Sequence, residues 1–138
     1  MQQTIDLAAV SSDAQSFLQE FLVGLLTTTR PNGHLHVAAV GFTYDLDLRQ
    51  AWLIAPRSSV KVRNIAAGSR AVVAQVDGSR WLSLEGRARV VDSPEGVAEA
   101  HRRYRLRYPG HGEPDPNRVG IVIDVESMVG IAMRRPQS

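Results

Sequence analysis

Residues 70–91 read Arg70-Ala71-Val72-Val73-Ala74-Gln75-Val76-Asp77-Gly78-Ser79-Arg80-Trp81-Leu82-Ser83-Leu84-Glu85-Gly86-Arg87-Ala88-Arg89-Val90-Val91. Asp-Gly suits a two-residue hairpin loop, whose central positions both need positive φ, and here it is flanked by apolar alternation. The stretch predicts strands over residues 70–76 and 80–91 joined by a tight turn. Upstream, Arg30-Pro31-Asn32-Gly33 separates an apolar, then β-branched run (23–29) from a second apolar run (35–44), and predicts another hairpin. Within 35–44, Leu35, Val37 and Ala39 share one face while Ala38, Val40 and Phe42 share the other, so both faces are expected to be covered.

Residues 45–50 read as a polar loop, and 51–55 as a short buried strand stopped by Pro56. The last strand is expected at 119–126, with Val119, Ile121, Ile123 and Val125 in the core and the alternate residues toward polar surroundings. Three helices complete the set. Ser12 and Gln15 form a capping-box pattern ahead of a helix over 13–21. A second begins near Ser58 with Val62, Ile65 and Ala66 as its apolar stripe and Gly68 as its stop. A third starts at Pro94 behind Ser93, lays Val97, Ala100, Tyr104 and Tyr108 along one side, and ends at Pro109-Gly110, with a loop over 109–118. The fold class expected is mainly β (α+β): six strands in a small split barrel, closed to remove its edges, with three flanking helices.

The bulk numbers agree with one domain spanning 1–138. At 138 residues and 15.1 kDa, with 43% hydrophobic and 22% charged residues, the chain can bury a normal core without staples. Cysteine is absent, which removes disulfides and thiolate chemistry and fits a reducing compartment, so a cytoplasmic address is expected. The apolar stretch 21–29 is far shorter than the roughly 20 residues of a membrane helix, so no membrane partner is expected. Net charge is only +2, and Lys61 is the sole lysine among 16 basic residues.

Ala55-Pro56-Arg57-Ser58-Ser59-Val60-Lys61-Val62-Arg63-Asn64 runs from a strand end into a helix start and carries three cations. Unpaired N–H groups, serine hydroxyls and a lysine at such a place can seat a phosphate; a plain serine cap with solvated cations is the other reading. No Gly-x-Gly-x-x-Gly or Walker motif is present, so Rossmann and P-loop nucleotide sites are not supported. The histidines His34, His36, His101 and His111 lack metal-ligand spacing. His36, on the hairpin strand, is either a proton donor or a hydrogen-bonded structural histidine. Arg102, Arg103, Arg105 and Arg107 alternate with tyrosines on the third helix, a pattern seen in nucleic-acid binders. The tyrosines sit at i, i+4 and should pack inward, leaving the arginines solvated or facing an acidic ligand, so no nucleic-acid partner is expected. Trp81 follows the Asp-Gly turn and suits the core, a stacked aromatic ligand or a subunit contact.

Four stretches taken together resemble a known family: 26–29 through Asn32-Gly33 into 36–45; Lys61-Val62-Arg63-Asn64; 75–88; and Arg103-Tyr104 with Arg107-Tyr108. They are similar to the pyridoxamine-phosphate-oxidase-like, FMN-binding type split-barrel flavoproteins, in the actinobacterial branch that uses the deazaflavin coenzyme F420. The third stretch is most similar to the F420-dependent biliverdin reductases. The resemblance implies an oxidoreductase that is a homodimer with two cofactor sites at the subunit interface. It implies that His36, Val37, Ala38 and Ala39 lie along the deazaflavin ring, and that Ser58, Ser59, Lys61 and Asn64, with Arg57 nearby, grip the cofactor phosphate. Arg80 and Trp81 are implied to reach the second subunit's site. Many relatives carry arginine two residues before the lysine, where this chain has Ser59. The implied reaction is hydride transfer to a conjugated acceptor such as biliverdin; an FMN oxidoreductase and a non-catalytic binder of F420 or a tetrapyrrole are the alternatives.

Overall fold

In a computed structural model, residues 2–111 and 115–131 are described. The chain order is β1 (Gln2–Ile5), α1 (Ser12–Phe17), β2 (Gly24–Thr29), β3 (Leu35–Val40), β4 (Phe42–Asp45), β5 (Gln50–Pro56), α2 (Val60–Ala66), β6 (Arg70–Asp77), β7 (Arg80–Val91), α3 (Pro94–Arg107) and β8 (Arg118–Ile131). All strand pairs are antiparallel in one curled sheet of order β3-β2-β6-β7-β8-β5-β4, with β1 beside the end of β8. The mainly β split-barrel class is therefore as expected. Among the described residues no helix is long and apolar enough to cross a membrane.

Two details raise the expected six strands to eight. The run 35–44 breaks at Gly41, where a Cβ would come 2.7 Å from Tyr104 Cε2 and 3.0 Å from Tyr108 Cε2; α3 bears on the chain there and splits it into β3 and β4. The short β1, too polar to be read as a strand, pairs with Met128–Ile131 and carries β8 beyond its expected end. Helix α1 stops at Phe17 rather than 21, with Leu18 as its C-cap. Phe21 then lies on the surface with 66% of its area exposed. Of the loop expected over 109–118, residues 112–114 lie outside the described part.

The core is a continuous cluster of residues from the concave face, including Leu26, Phe42, Leu53, Val73, Leu82, Leu84, Ile121 and Met128, closed by Phe17 of α1 and by Val62 and Ile65 of α2. The convex face is covered unevenly. Over β8, Gly120 and Val122 are buried too, because α3 packs there and Ala100 Cβ approaches Gly120, so the expected polar face exists only from Asp124 onward. Over β3 the opposite holds: Leu35, Val37 and Ala39 are exposed, so only one of the two faces expected to be covered is covered within a single chain. The cause is position, since β3 is a sheet edge with no helix on its convex side.

Gly86 is the position least open to change. It sits at the bulge between Glu85 and Gly86, where β7 leaves register with β8, and a Cβ there would lie 1.8 Å from the Asp124 carbonyl oxygen. The Asp124 carbonyl and the Gly86 Cα that would carry the methyl both belong to backbone in the middle of the sheet, so neither yields cheaply. Gly86→Ala is expected to lose roughly 3 kcal/mol of stability and to lower the thermal midpoint by roughly 10 °C, measured by scanning calorimetry.

Candidate functional site at the free edge of β3

The hairpin β2–β3 places β3 outermost, so among the described residues the row of N–H and C=O groups on its far side has no strand partner. Strand alternation then gives this edge two different flanks. On the convex flank, Val37 and Ala39 continue across the sheet into Leu25, Ala74, Val76 and Trp81, through the pairings Leu25–Ala39, Leu25–Ala74 and Val76–Trp81. Leu25 is 49%, Val37 56% and Val76 59% exposed, so this is an apolar shelf with small alanines between larger side chains.

On the concave flank, His36 pairs with Thr28, which is 1% exposed and accepts a 3.0 Å hydrogen bond from Asn64 Nδ2 on α2. Asn64 is itself buried, so α2 is pinned to the β2–β3 hairpin by a polar contact inside the core. Lys61 stands at i−3 from Asn64, on the same side of the helix. Burial pushes the Lys61 ammonium below its ordinary value of 10.5, and among the described residues no carboxylate opposes that shift. Among the described residues two buried polar atoms in this region lack a partner: His36 Nδ1 and Ser59 Oγ. Ser59 is the N-cap of α2, yet its hydroxyl makes no cap bond. The equivalent serines of the other helices do: Ser11 Oγ accepts from the Ala14 N–H at 3.2 Å and Ser93 Oγ from the Gly96 N–H at 3.1 Å. An unspent hydroxyl, uncapped N–H groups and an unpaired, partly desolvated ammonium are the donor set that an anion requires. These residues thus fit a phosphate-bearing cofactor.

The two arginines expected at the site are engaged elsewhere. Arg57 is exposed, forms an ion pair with Asp92 and donates its backbone N–H to the Asn117 carbonyl at 2.7 Å. Arg80 lies over the Phe17 ring and is held by Glu20 at 2.6 and 3.1 Å and by Asp77 at 2.5 Å. Ser58 is exposed. Ser59, Lys61 and Asn64 of α2 therefore lie on the flank that His36 and Ala38 share, with Val37, Ala39 and Trp81 on the other.

Sequence reasoning missed the shelf residues Leu25, Ala74 and Val76, although the apolar residues on both faces of 24–29 and 70–77 carried the signal. It also placed Arg107 in solvent or against an acidic ligand. Arg107 is 7% exposed, donating from Nε to the Glu20 carbonyl at 2.9 Å, from Nη1 to the Phe42 carbonyl at 2.7 Å and from Nη2 to Gln75 Oε1 at 2.5 Å. With Tyr108, whose hydroxyl donates to the Leu22 carbonyl at 2.6 Å, it ties the end of α3 to the segment entering β2. Arg107→Met keeps the packing but removes three hydrogen bonds and takes the donor from buried Gln75 Oε1, while the Leu22 N–H still serves the Glu20 carbonyl and the Tyr108 hydroxyl the Phe42 carbonyl. It is expected to lower unfolding free energy by about 2 kcal/mol in urea titration.

A family model for pyridoxamine 5'-phosphate oxidase matches residues 11–131, and the chain belongs to that family. Its relatives narrow the comparison. It is 43% identical over 123 residues, 89% of each chain, to a protein of Mycobacterium tuberculosis (strain CDC 1551 / Oshkosh) named F420H(2)-dependent biliverdin reductase. Among solved structures, one named F420 reductase superposes with a TM-score of 0.67 at 27% identity, covering 86% of this chain and 98% of that one. A conserved hypothetical protein of Mycobacterium tuberculosis superposes at 0.71 with 26% identity, covering 86% and 83%.

Proposed function

We propose that the protein is an F420H2-dependent reductase that works as a homodimer and reduces a conjugated small-molecule acceptor, with biliverdin to bilirubin as the reaction. The observation that carries this reading is the open edge of β3, flanked on one side by an apolar shelf and on the other by an uncapped helix start. The identity to a reductase of that name supports the choice of coenzyme and acceptor.

Reduced F420, when bound, supplies the hydride. The chain's part is to bind, orient and keep the cleft dry. Lys61, Ser59 and the first N–H groups of α2 hold the cofactor phosphate, while Asn64 keeps α2 fixed to the hairpin. The unpaired main chain from His36 to Ala39 fixes the cofactor ring along the edge. The small side chains of Ala38 and Ala39 allow close approach, and Val37, Leu25 and Ala74 exclude water. A second copy laid on the shelf closes the cleft, and Trp81 lies within the surface it covers. His36, whose imidazole lies on the concave flank of this edge, holds the proton that follows the hydride. A reductase without cysteine suits the reducing cytoplasm.

Donor choice tests this. Reduced F420, NADPH and reduced FMN are each added to protein with biliverdin and followed by absorbance. Turnover is expected with reduced F420 alone, and reduced from that rate in His36→Ala. Turnover with reduced FMN, or protein that purifies yellow with FMN, would favour the FMN oxidoreductase. Binding of F420 and biliverdin without reaction would leave a carrier. Full activity in His36→Ala would assign the proton to water.

A further inference from the structure

The charges around the phosphate seat can be followed element by element. Lys61 is half-buried and, among the described residues, forms no ion pair. Arg57 is drawn off toward the starts of α3 and β8: Asp92 pairs with its guanidinium, Nη2 donates to the Pro116 carbonyl at 3.5 Å, and its backbone N–H donates to the Asn117 carbonyl at 2.7 Å. Arg63 is exposed and leaves α2 about 200° round from Lys61, so the two do not face each other. Of the strands that α2 packs on, β2 has no ionisable side chain and β3 has only His36. The charged residues of β7 are paired with others: Arg80 with Glu20, Glu85 with Arg70, Arg87 with Glu126 and Arg89 with Asp124. Ser59, two residues before Lys61, brings a buried hydroxyl without a partner and no charge.

One lysine therefore serves the phosphate, at a place where burial already disfavours charge. A phosphodiester carries a single negative charge, whereas a phosphomonoester carries about 1.5 to 2 at neutral pH, because its second proton leaves near pH 6. The cost of taking an ion out of water grows with the square of its charge, but its attraction to one cation grows only in proportion. A monoanion thus makes a neutral pair with Lys61. A dianion leaves a buried charge unanswered.

We propose, on the reading that Ser59 and Lys61 seat the cofactor phosphate, that this seat selects by phosphate charge: it takes a phosphodiester and discriminates against a phosphomonoester, and the neutral Ser59 sets that limit. F420 qualifies because its chain continues past the phosphate. FMN, which ends in a monoester, does not. The way out for the second substituent is open, since Pro56, Arg57 and Ser58 are all exposed.

The test is isothermal titration calorimetry of the full chain at pH 8 with two compounds that share the F420 ring. One is F420 cut back to its 5′-phosphate, a monoester; the other is the methyl ester of that compound, a diester. The diester is expected to bind about tenfold more tightly than the monoester. Ser59→Arg supplies a second cation and is expected to reverse the order. Arg57→Gln and Arg63→Gln are expected to leave the ratio of the two affinities as it is in wild type, and a collapse of the ratio in either would give the charge count to that arginine and overturn the role of Lys61 as sole cation. With F420 itself bound, equal affinity for the two compounds, tighter binding of the monoester, or binding of neither would overturn the discrimination and leave the proposed function in place. Failure of F420 to bind would remove the seat, and the discrimination with it.

Discussion

Leu25→Asp is expected to turn the protein into a monomer and to remove F420 binding with it, although the side chain is half exposed and the chain still folds. The argument starts from the convex shelf. Leu25 sits at its centre, paired in register with Ala39 on one side and Ala74 on the other. Contiguous exposed apolar surface of this kind is the mark of an interface, and its central residues carry most of the energy. A carboxylate there must be desolvated without a partner for two copies to meet, at about 3 kcal/mol for each copy. In a two-fold interface the change counts twice, so the dimer weakens by roughly four decades. Sedimentation velocity reads the mass, and circular dichroism confirms the fold. A dimeric Leu25→Asp protein would show that the shelf is covered by something else. A monomer that binds F420 as tightly as wild type would show that one chain makes the whole site.

Lys61→Ala is expected to weaken F420 by about 1.5 to 3 kcal/mol, roughly 10- to 150-fold, while leaving thermal stability nearly unchanged. Among the described residues the lysine has no ion pair to lose, and its burial already disfavours the charged form in the free protein. For the same reason affinity should depend on pH in one direction. An anion favours the ammonium, so binding is full while Lys61 is protonated and falls as pH rises through its lowered pKa, below 10.5. The alkaline fall should be absent in Lys61→Ala. A variant with wild-type affinity would remove the lysine from the anchor.

Much of this was legible in residues 70–91 and 24–44, because turn chemistry is local: Gly33 and Gly78 take the positive φ their turns need, although the second hairpin's loop is Gly78-Ser79, one residue later than expected, because Asp77 pairs with Arg80 as the last residue of β6. The anchor was legible for a similar reason, since Ser59, Lys61 and Asn64 lie within one short segment. What could not be read depended on distant partners. Gly41 breaks a strand only because tyrosines 63 and 67 positions later press on it. Arg107 resembles a surface cation until the carbonyls of Glu20 and Phe42 are brought to it. Arg80 was assigned to a ligand, but Glu20, on the segment after α1, holds it instead. The apolar shelf looked like core because, within one chain, nothing in its alternation distinguishes a face buried by a helix from one left open.

A crystal structure of the protein grown with F420 tests the central claim most directly. The account predicts a phosphate within hydrogen-bonding distance of Lys61 Nζ and Ser59 Oγ, the ring along His36 to Ala39, and a second chain packed on Leu25. A ring bound away from β3, or a phosphate held by other residues with Lys61 still bare, would contradict it.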